Sequence, residues 1–372
     1  MQALQKAKSG LYLHIPFCRS KCHYCDFYSI SSLAPLQKFL EGLKKEIFLQ
    51  KDISFQTFDT VYIGGGTPSF LKEEHIELIL KAIFERFQIE DRAEITIEAN
   101  PCDIDISKAK FLKEIGINRI TLGIQSLRDD ILKFLGRSHS AAQALKAYEN
   151  LRKAGFENIG IDMIYGIPGQ SIKEWLNDLK QITLLNPEHI SCYELTFEKK
   201  TYLWKLLSLG KIVPMREDKK ADFFMQTSAF LESKGYIHYE ISNFAKSQLY
   251  VSKHNLKYWM HIPYLGLGPS AHSFDGKKRW WNFASIKRYY EKLKSAALPI
   301  EGTEQLSEEQ LRIEKIFLGL RTCYGVEISL CSIKQDVISF LEKEGLIRTT
   351  EKRIIPTKKG FLLADQLANY LI

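Results

Sequence analysis

Short apolar runs rich in β-branched residues alternate with longer amphipathic segments through the first half of the chain. The runs predict six strands, at residues 11–15, 60–63, 94–98, 119–124, 159–164 and 189–193. The segments between them carry apolar residues at steps of three and four, the spacing of a helix with one buried face. This alternation is typical of parallel strands joined by crossover helices, so the sequence predicts an α/β fold. Periodicity alone does not separate an open doubly wound sheet from a partial barrel.

The alternation stops near residue 200. A predicted helix at 217–233 and a strand at 236–241 precede an aromatic-rich stretch, and a separate piece begins near residue 303. We therefore predict three regions: a barrel over 1–235, an aromatic-rich segment over 236–302 that packs on it, and a mainly helical, winged-helix-like domain over 303–372. The basic residues of the last region are typical of a solvated face, so we expect no nucleic-acid partner.

Composition narrows the class of protein further. Of 372 residues, 45% are hydrophobic and 26% charged, which excludes a disordered or collagen-like chain. The first residues lack the apolar core of a leader peptide, and no run reaches the roughly 18 apolar residues of a spanning helix. We therefore expect a cytoplasmic protein. In that reducing compartment the seven cysteines are not expected to form disulfides.

Polar residues follow the predicted strands at their carboxyl ends. In both candidate architectures the loops at these ends build the active site, so residues there are the first functional candidates. They are a cysteine cluster after the first strand, Gly64-Gly65-Gly66-Thr67 after the second, Glu98 on the third, Gln125 after the fourth and Asp162 on the fifth. The sequence predicts that these groups converge on one edge of the sheet.

The cysteine cluster has a spacing that suits a metal centre. Cys18, Cys22 and Cys25 provide three thiolates within eight residues. Three thiolates leave one iron of a [4Fe-4S] cluster without a protein ligand, and that iron can bind a substrate or cofactor. Structural zinc with His14 or His23 as the fourth ligand is the alternative that spacing leaves open.

The run His14-Ile-Pro-Phe-Cys-Arg-Ser-Lys-Cys-His-Tyr-Cys-Asp-Phe27 resembles the signature of radical S-adenosylmethionine (SAM) enzymes. The resemblance implies that the three cysteines hold a [4Fe-4S] cluster and that SAM binds its open iron. It also implies the fold of that family, a partial (β/α)6 TIM-like barrel, here with a smaller C-terminal mainly helical domain. An electron donor is then needed as a partner, because one electron splits SAM to a 5′-deoxyadenosyl radical.

The resemblance extends beyond the cysteines, motif by motif, to about residue 275. It implies that eight residues bind SAM: Tyr12, Gly65, Gly66, Thr67, Glu98, Gln125, Arg137 and Asp162. Their chemistry is suitable, since carboxylates bind amino or hydroxyl groups and a guanidinium pairs with a carboxylate. Helix capping by the carboxylates and a tight turn at the glycines are the structural alternatives. We assign no catalytic residue.

Within the radical SAM superfamily the pattern resembles the branch of oxygen-independent coproporphyrinogen III oxidases and HemW-like heme chaperones. The oxidases carry a further cysteine two positions after the third cluster cysteine, where this chain has Phe27, and they extend further at the amino end. Both differences argue against the oxidase activity. The motif His254-Asn-x-x-Tyr258-Trp259 resembles one found in the chaperones, which makes His254 a candidate heme ligand. An aromatic core around a hydrogen-bonded histidine is the structural alternative.

The sequence therefore predicts a chaperone that binds a [4Fe-4S] cluster, SAM and heme. Its expected partners are heme, acceptor haemoproteins such as membrane respiratory proteins, and an electron donor. The alternative function is oxygen-independent coproporphyrinogen III oxidase, and whether the chain is an enzyme stays open.

Overall fold

A computed structural model describes residues 8–50 and 57–372. Residues 1–7, on which the expected absence of a leader peptide mainly depends, lie outside the described residues. The strands are β1 Ser9–Ile15, β2 Phe58–Gly65, β3 Ile89–Ala99, β4 Arg119–Gln125, β5 Ile159–Tyr165, β6 His189–Glu194, β7 Ile237–Glu240, β8 Asn243–Ala245, β9 Tyr264–Leu267, β10 His272–Phe274, β11 Lys278–Asn282, β12 Ile300–Gln305, β13 Val326–Glu327, β14 Ile347–Thr349 and β15 Arg353–Pro356. The helices are α1 Leu36–Leu49, α2 Glu73–Arg86, α3 Ile106–Glu114, α4 Asp129–Phe134, α5 Ala141–Lys153, α6 Ile172–Leu184, α7 Tyr202–Ser208, α8 Glu217–Ser233, α9 Lys253–Trp259, α10 Ile286–Lys294, α11 Glu308–Gly319, α12 Gln335–Lys343, α13 Lys358–Leu362 and α14 Ala364–Leu371.

The chain forms two compact units, each made of several segments. The first contains the described residues up to Ile164, together with Leu195–Val213 and Ile262–Gln305. The second contains Tyr165–Glu194, Pro214–His261 and Leu306–Ile372. Because the units are discontinuous along the chain, they do not test the predicted boundaries at residues 235 and 302, which stay a prediction.

The first unit is built on parallel strands. Strands β1 to β5 pair side by side in chain order, every pair parallel, and β9 adds to the other side of β1, also parallel. Strands β10, β11 and β12 continue antiparallel from β9. Leu11, Leu13 and Ile15 alternate along β1, so they lie on one face of the sheet, and none of them has exposed surface. The alternate positions Tyr12 and His14 carry polar groups on the other face.

The second unit contains β6, β7 and β8, which pair antiparallel, and a three-stranded antiparallel sheet in the order β13-β15-β14. Its interior includes Trp175, which has no exposed surface and whose Nε1 donates to the Thr227 hydroxyl at 2.7 Å. Helix α6 begins at a capping box, in which Ser171 and Glu174 each bond the other's backbone amide. Among the described residues no helix has the length and apolar character needed to cross a membrane.

All six predicted strands are confirmed, as are the helices predicted between them. Sequence periodicity missed the short helix α4 and the strands β9 to β12. Strand β9 contains the Tyr264-Leu-Gly-Leu267 motif, which the structure pairs with β1 in the first unit. The neighbouring motif at His254 belongs to the second unit.

A buried carboxylate fixes part of the first unit. Glu46 lies on the apolar face of α1 with no exposed surface. Its Oε2 accepts bonds from the Gly268 amide at 2.7 Å and the Tyr289 hydroxyl at 2.6 Å, and its Oε1 accepts from Asn282 Nδ2 at 2.6 Å. Burial raises the pKa of Glu46 to about 7, against the opposing effect of these three donors. We call Glu46, Gly268, Asn282 and Tyr289 the Glu46 cluster.

The Glu46 cluster predicts a specific pH dependence of stability. The folded chain holds the Glu46 proton more tightly than the unfolded chain, so ionisation lowers the free energy of unfolding as pH rises through the interval from 4.5 to about 7. The loss from this group is about 3 kcal/mol. Glu46→Gln cannot ionise, so we expect the wild type to lose stability relative to this variant between pH 5 and about 8 in urea unfolding.

Glu41→Gln is the matched control on the same helix, because Glu41 is exposed and bonds Tyr290 on the surface. The difference in free energy of unfolding between Glu41→Gln and the wild type is expected to stay constant over the same pH range. If the difference for Glu46→Gln is also independent of pH, the prediction is wrong.

Candidate functional site

The predicted site residues meet at the carboxyl edge of the parallel strands. The register pairs Ile15 with Gly65, Ile63 with Ile97, and Ala99 with Leu122, so β1 to β4 end close to the same level. Loops that follow these strands therefore begin side by side. The convergence expected from the sequence is confirmed for the first unit.

The glycine-rich segment after β2 lies directly against the backbone after β1. The amide of Gly66 donates to the Ile15 carbonyl and that of Thr67 to the Phe17 carbonyl, both at 2.8 Å. A Cβ at Gly66 would lie 2.8 Å from each of these two oxygens, closer than a side chain tolerates. Glycine is thus required for the segment to approach β1. This approach brings the Thr67 hydroxyl to 3.4 Å from Cys18 Sγ.

The cysteine loop is held at several points along its length. Cys18 donates its amide to the Ile30 carbonyl at 2.9 Å, and Cys25 donates to the Cys22 carbonyl at 3.2 Å. The His23 amide donates to the Leu135 carbonyl at 3.0 Å. The loop is therefore positioned by backbone hydrogen bonds rather than by side-chain packing alone.

All seven cysteines are free thiols, including the three on this loop. Burial raises the pKa of Cys18, and burial together with the charges of the other two thiols raises that of Cys25 to about 11. The Thr67 hydroxyl, 3.4 Å from Cys18 Sγ, opposes the shift of the Cys18 pKa. Arg137 Nη1 lies 3.3 Å from Cys22 Sγ. The loop thus brings three thiols close enough to interact electrostatically and supplies them with polar and cationic neighbours.

Neither histidine of the loop region is positioned as a zinc ligand. His14 Nε2 bonds the Tyr28 carbonyl at 2.8 Å and its Nδ1 bonds the Tyr12 hydroxyl at 3.1 Å. His23 Nδ1 bonds the Phe134 carbonyl at 2.8 Å. Within residues 8–50 and 57–372, no group of three or more His, Cys, Asp or Glu side chains is arranged to hold a metal ion. The geometry gives no support to the zinc alternative, and the three thiols would have to turn toward one another to bind any metal.

Six of the eight residues predicted to bind SAM line one cavity in the first unit. The cavity measures about 100 Å³, with about 380 Å³ of empty space when its open mouth is included. The six are Gly66, Thr67, Glu98, Gln125, Arg137 and Asp162. The other two lie beside it: Gly65 donates its amide to Glu98 Oε2 at 3.2 Å, and the Tyr12 ring stacks on Tyr62 with 6.2 Å between centroids. The structure therefore brings all eight together, although their contact with SAM stays a prediction.

Glu98 is an acid of this cavity with a strongly perturbed pKa. Burial raises its pKa to about 7, and the nearby charge of Asp162 adds to the shift. The Tyr62 hydroxyl donates to Glu98 Oε1 at 2.8 Å and favours the ionised form. Two carboxylates that repel each other in a half-buried cavity attract a cationic ligand group.

Gln125 holds an unusual backbone conformation at the end of β4. Its φ is +71°, in the left-handed region that non-glycine residues seldom adopt. Its Oε1 is buried and accepts no hydrogen bond from any residue that the structure describes. A buried amide oxygen without a donor costs free energy, so this atom is suited to accept a hydrogen bond from a ligand.

Arg137 joins the cavity to the cysteine loop. Its Nη1 donates to Cys22 Sγ and its Nη2 donates to the Gly123 carbonyl at 2.8 Å, while Nε is buried and has no partner among the described residues. The nearby groups of Tyr24 and Cys22 raise the pKa of Arg137 against the effect of burial, so the guanidinium stays charged. A fixed guanidinium whose Nε–H has no partner among the described residues is suited to a carboxylate.

Sequence analysis missed one polar residue of this region, Tyr62, and for His139 it left open a role in loop structure or in function. Tyr62 was hidden in an apolar strand pattern, and only its hydroxyl distinguishes it from the core residues around it. His139, with 4% exposure, bonds the Ile124 carbonyl through Nε2 at 3.0 Å. Burial and the charge of Arg137 lower its pKa to about 4. It holds the end of β4 next to Gln125.

The structure places His254 in the interior of the second unit. His254 is 1% exposed on α9, and its Nε2 bonds the Tyr258 hydroxyl at 2.9 Å. Burial, with the charge of Lys257, lowers its pKa to about 3, so the imidazole is neutral. This arrangement agrees with the aromatic-core alternative. Heme ligation by His254 requires the ring to leave Tyr258 and stays a prediction.

Comparisons with known proteins show the family of this chain. The model of the radical SAM superfamily matches residues 12–182. Proteins named heme chaperone HemW are similar over nearly the full length: that of Bacillus subtilis is 35% identical, with 96% of this chain and 97% of the relative covered. The Lactococcus lactis protein is also 35% identical, covering 98% of this chain and 97% of its own length. The chain belongs to the radical SAM superfamily and, within it, to the HemW family.

A solved structure shows the fold of this HemW-family chain. The Escherichia coli coproporphyrinogen III oxidase HemN, a radical SAM enzyme, superposes with a TM-score of 0.82 at 24% identity, covering 98% of this chain and 89% of HemN. This similarity confirms the predicted fold class, an α/β fold with the partial barrel of radical SAM proteins and a smaller, mainly helical C-terminal part. The sheet forms no closed barrel within the described residues.

Removal of the Tyr62 hydroxyl tests the electrostatics of the cavity. In Tyr62→Phe the ionised form of Glu98 loses a donor, so we expect the Glu98 pKa to rise above its value of about 7. The titration can be followed by NMR of a ¹³C-labelled Glu98 carboxyl. Tyr290→Phe, which removes a surface hydroxyl bonded to Glu41, is the control and is expected to leave Glu98 unchanged. An unchanged Glu98 pKa in Tyr62→Phe would contradict the assigned hydrogen bond.

Proposed function

We propose that this chain is a heme chaperone, which binds a [4Fe-4S] cluster and SAM in its first unit and passes bound heme to acceptor haemoproteins. The observation that carries the proposal is the full-length similarity to proteins named heme chaperone HemW, at 35% identity over 369 residues for the Bacillus subtilis protein. The cavity beside the cysteine loop is the second support, because its donor set suits SAM.

Cys18, Cys22 and Cys25 are the proposed ligands of the cluster. They are free thiols on one loop, and donors from Arg137 and Thr67 already reach two of the sulfur atoms. When bound to three thiolates, a [4Fe-4S] cluster supplies one iron with an open coordination position and a centre for one-electron transfer. Because cysteine binds iron as the thiolate, loading of the cluster depends on pH.

The cavity residues have separate proposed roles toward SAM. The Glu98 carboxylate accepts from the amino group, whose positive charge favours the ionised form of an acid with a pKa of about 7. Arg137 pairs with the ligand's carboxylate. Gln125 Oε1, buried without a donor among the described residues, accepts from the nucleoside, and Asp162 accepts from the ribose hydroxyls. The glycine segment is hydrogen-bonded to the backbone at and after the end of β1, and its residues Gly66 and Thr67 form one side of the cavity.

Anaerobic reconstitution with iron and sulfide tests the cluster and SAM. We expect the wild type to take up about four irons and its electron paramagnetic resonance signal to change when SAM is added. Cys22→Ser is expected to lose most of the iron, because one of three ligands is removed. Cys323→Ser, a thiol outside the loop, is the matched control and should load normally.

Gln125→Ala separates SAM binding from cluster assembly. It should load iron as the wild type does but bind SAM roughly tenfold more weakly, since a buried hydrogen bond of about 1 to 1.5 kcal/mol is lost. Zinc in place of iron in the wild type, or a signal that SAM does not change, would contradict the proposed site.

Heme binding and transfer are the functional part of the proposal. Heme binding is supported in this chain by the His254 motif. The motif lies on α9 in the second unit, where His254 packs against the Tyr258 ring. Purified protein titrated with heme should bind it stoichiometrically in the Soret region and then lose it to a heme-free haemoprotein in excess. His254→Ala is expected to weaken binding at least several-fold, whether the ring ligates iron or positions α9.

A heme titration without saturation would remove the chaperone proposal. Anaerobic conversion of coproporphyrinogen III to protoporphyrinogen IX, with SAM and a reductant, would instead establish the oxidase alternative. The similarity to HemN is one of fold, and Phe27 stands where those oxidases carry a further cysteine. A cytoplasmic location is part of the proposal, since three neighbouring thiols stay reduced there. Membrane respiratory proteins as acceptors and an electron donor as a partner also remain proposed.

A further inference from the structure

Asp103, a residue outside the site described above, joins three loops of the first unit. It ends the turn Pro101–Asp103, which follows β3, and its side chain is 5% exposed. Its Oδ1 accepts a bond from Arg19 Nη2 at 3.0 Å, and its Oδ2 accepts one from the Ser69 hydroxyl at 2.9 Å. Arg19 lies on the cysteine loop after β1, and Ser69 directly follows the glycine-rich segment after β2. One carboxylate on the third loop therefore bonds the other two.

Ser69 makes a second connection, to the backbone after β3. Its hydroxyl donates to Asp103 and accepts from the Asn100 amide at 3.0 Å, and the residue is buried. Asn100 Oδ1 in turn accepts from the Cys102 amide at 3.2 Å. A hydroxyl has one proton to donate, so these two bonds fix its orientation. The segment after β2 is thus held to the loop after β3 through both functions of one hydroxyl.

Arg19 connects the cysteine loop to the same carboxylate. Its guanidinium also lies over the Phe70 ring, 5.2 Å from the centroid, which restrains the side chain although Arg19 is exposed. Ion pairs between two exposed partners contribute little, but here the carboxylate of Asp103 is nearly buried. Removal of Arg19 leaves that carboxylate with one donor fewer. We call Arg19, Ser69, Asn100 and Asp103 the Asp103 network.

The Asp103 network bonds each loop close to a residue with a proposed role toward the cluster or SAM. The neighbouring pairs are Cys18 and Arg19, Thr67 and Ser69, and Glu98 and Asn100. The first two loops also meet directly, where the Thr67 hydroxyl lies 3.4 Å from Cys18 Sγ. A ligand that contacts several loops is sensitive to the displacement of any one of them, since a shift of about 1 Å can cost roughly a hundredfold.

We propose that Asp103 is a positioning residue, which fixes Cys18 relative to the SAM cavity by joining the loops after β1, β2 and β3. It acts through Arg19 and Ser69 and is not among the residues that line the cavity. Its effect on SAM binding rests on the proposed function. Its effect on Cys18 does not, because the hydrogen bonds that hold Cys18 are present without any ligand.

The first experiment measures the reactivity of Cys18 in the full-length apo-protein. Cys18 is 8% exposed, so its reaction with iodoacetamide, located by mass spectrometry, requires local opening of the loop. Asp103→Ala should raise the alkylation rate of Cys18 about tenfold at a fixed pH, because the bonds that it removes oppose this opening. Cys192, a buried thiol of the second unit, should react at an unchanged rate.

Asp105→Asn is the matched control for Asp103→Ala. Asp105 lies two residues further along the chain, is exposed, and accepts a bond from the Lys108 amide at 2.7 Å as the cap of α3. Asparagine caps a helix as well as aspartate does. This variant should therefore leave the alkylation rate of Cys18 and the affinity for SAM unchanged.

Arg19→Ala separates the cysteine loop from the rest of the Asp103 network. It should also raise the alkylation rate of Cys18, because it removes the bond between this loop and Asp103. The double variant Arg19→Ala/Asp103→Ala should react no faster than Asp103→Ala alone, since both changes break the same connection. Alkylation rates that multiply in the double variant would overturn the inference.

The second experiment uses protein reconstituted anaerobically with iron and sulfide. Asp103→Ala should take up about four irons, because all three thiols of the loop remain. It should bind SAM about tenfold more weakly than the wild type and show a smaller change in its electron paramagnetic resonance signal. A role in stability alone would lower the iron content and leave the affinity of the loaded protein for SAM unchanged.

The two experiments separate this inference from the proposed function. A wild type that takes up no iron or does not bind SAM means that the proposed function fails, and alkylation then still decides the role of Asp103 toward Cys18. An unchanged alkylation rate of Cys18 in Asp103→Ala overturns the inference, as does an equal increase for Cys192. Normal SAM affinity in a variant with reactive Cys18 also overturns it. If Asp103→Ala folds poorly, Asp103→Asn keeps the side-chain shape and should give a smaller increase in the same rate.

Discussion

Parallel pairing of β1 to β5 places the ends of five strands at a common edge, and the chemistry of the first unit depends on this constraint. A polar group stands at or just after the end of each strand from β1 to β5. Because the register aligns these ends, the polar groups lie close together. Repulsion between Glu98 and Asp162 and the unbonded amide oxygen of Gln125 are consequences of this crowding. Both features cost stability in the isolated chain, and a ligand with complementary charge and donors would recover that free energy.

The sequence was sufficient to predict strands β1 to β6, most crossover helices and which polar residues stand at the edge, but not strands β9 to β12. Parallel strands bury both faces and produce continuous apolar runs, and the positions after each run follow directly from that pattern. The cysteine spacing and the glycine segment are similarly local. Each of these features is encoded within about ten consecutive residues, so it can be predicted from local sequence alone.

Other features depend on pairs of residues far apart in the chain and could not be predicted. The bond between Arg137 and Cys22 spans 115 positions, and the partners of Glu46 lie 222 to 243 positions away. The helical spacing from Phe39 and Leu43 does place Glu46 on the buried face of α1, but the sequence does not indicate which donors meet its carboxylate there. The motif around His254 was recognised in the sequence. The burial of its side chain and its hydrogen bond to Tyr258 depend on tertiary packing, which a local motif does not predict.

The route of the chain through the first unit has a practical consequence for protein engineering. Residues 262–305 return to that unit after the chain has left it, supplying β9 beside β1 and three of the groups around Glu46. A shortened expression fragment that stops after the family-matched region at 182 would expose the outer edge of β1 and remove all three groups that bond Glu46. A fragment designed to study the proposed SAM site in isolation should therefore include residues 262–305.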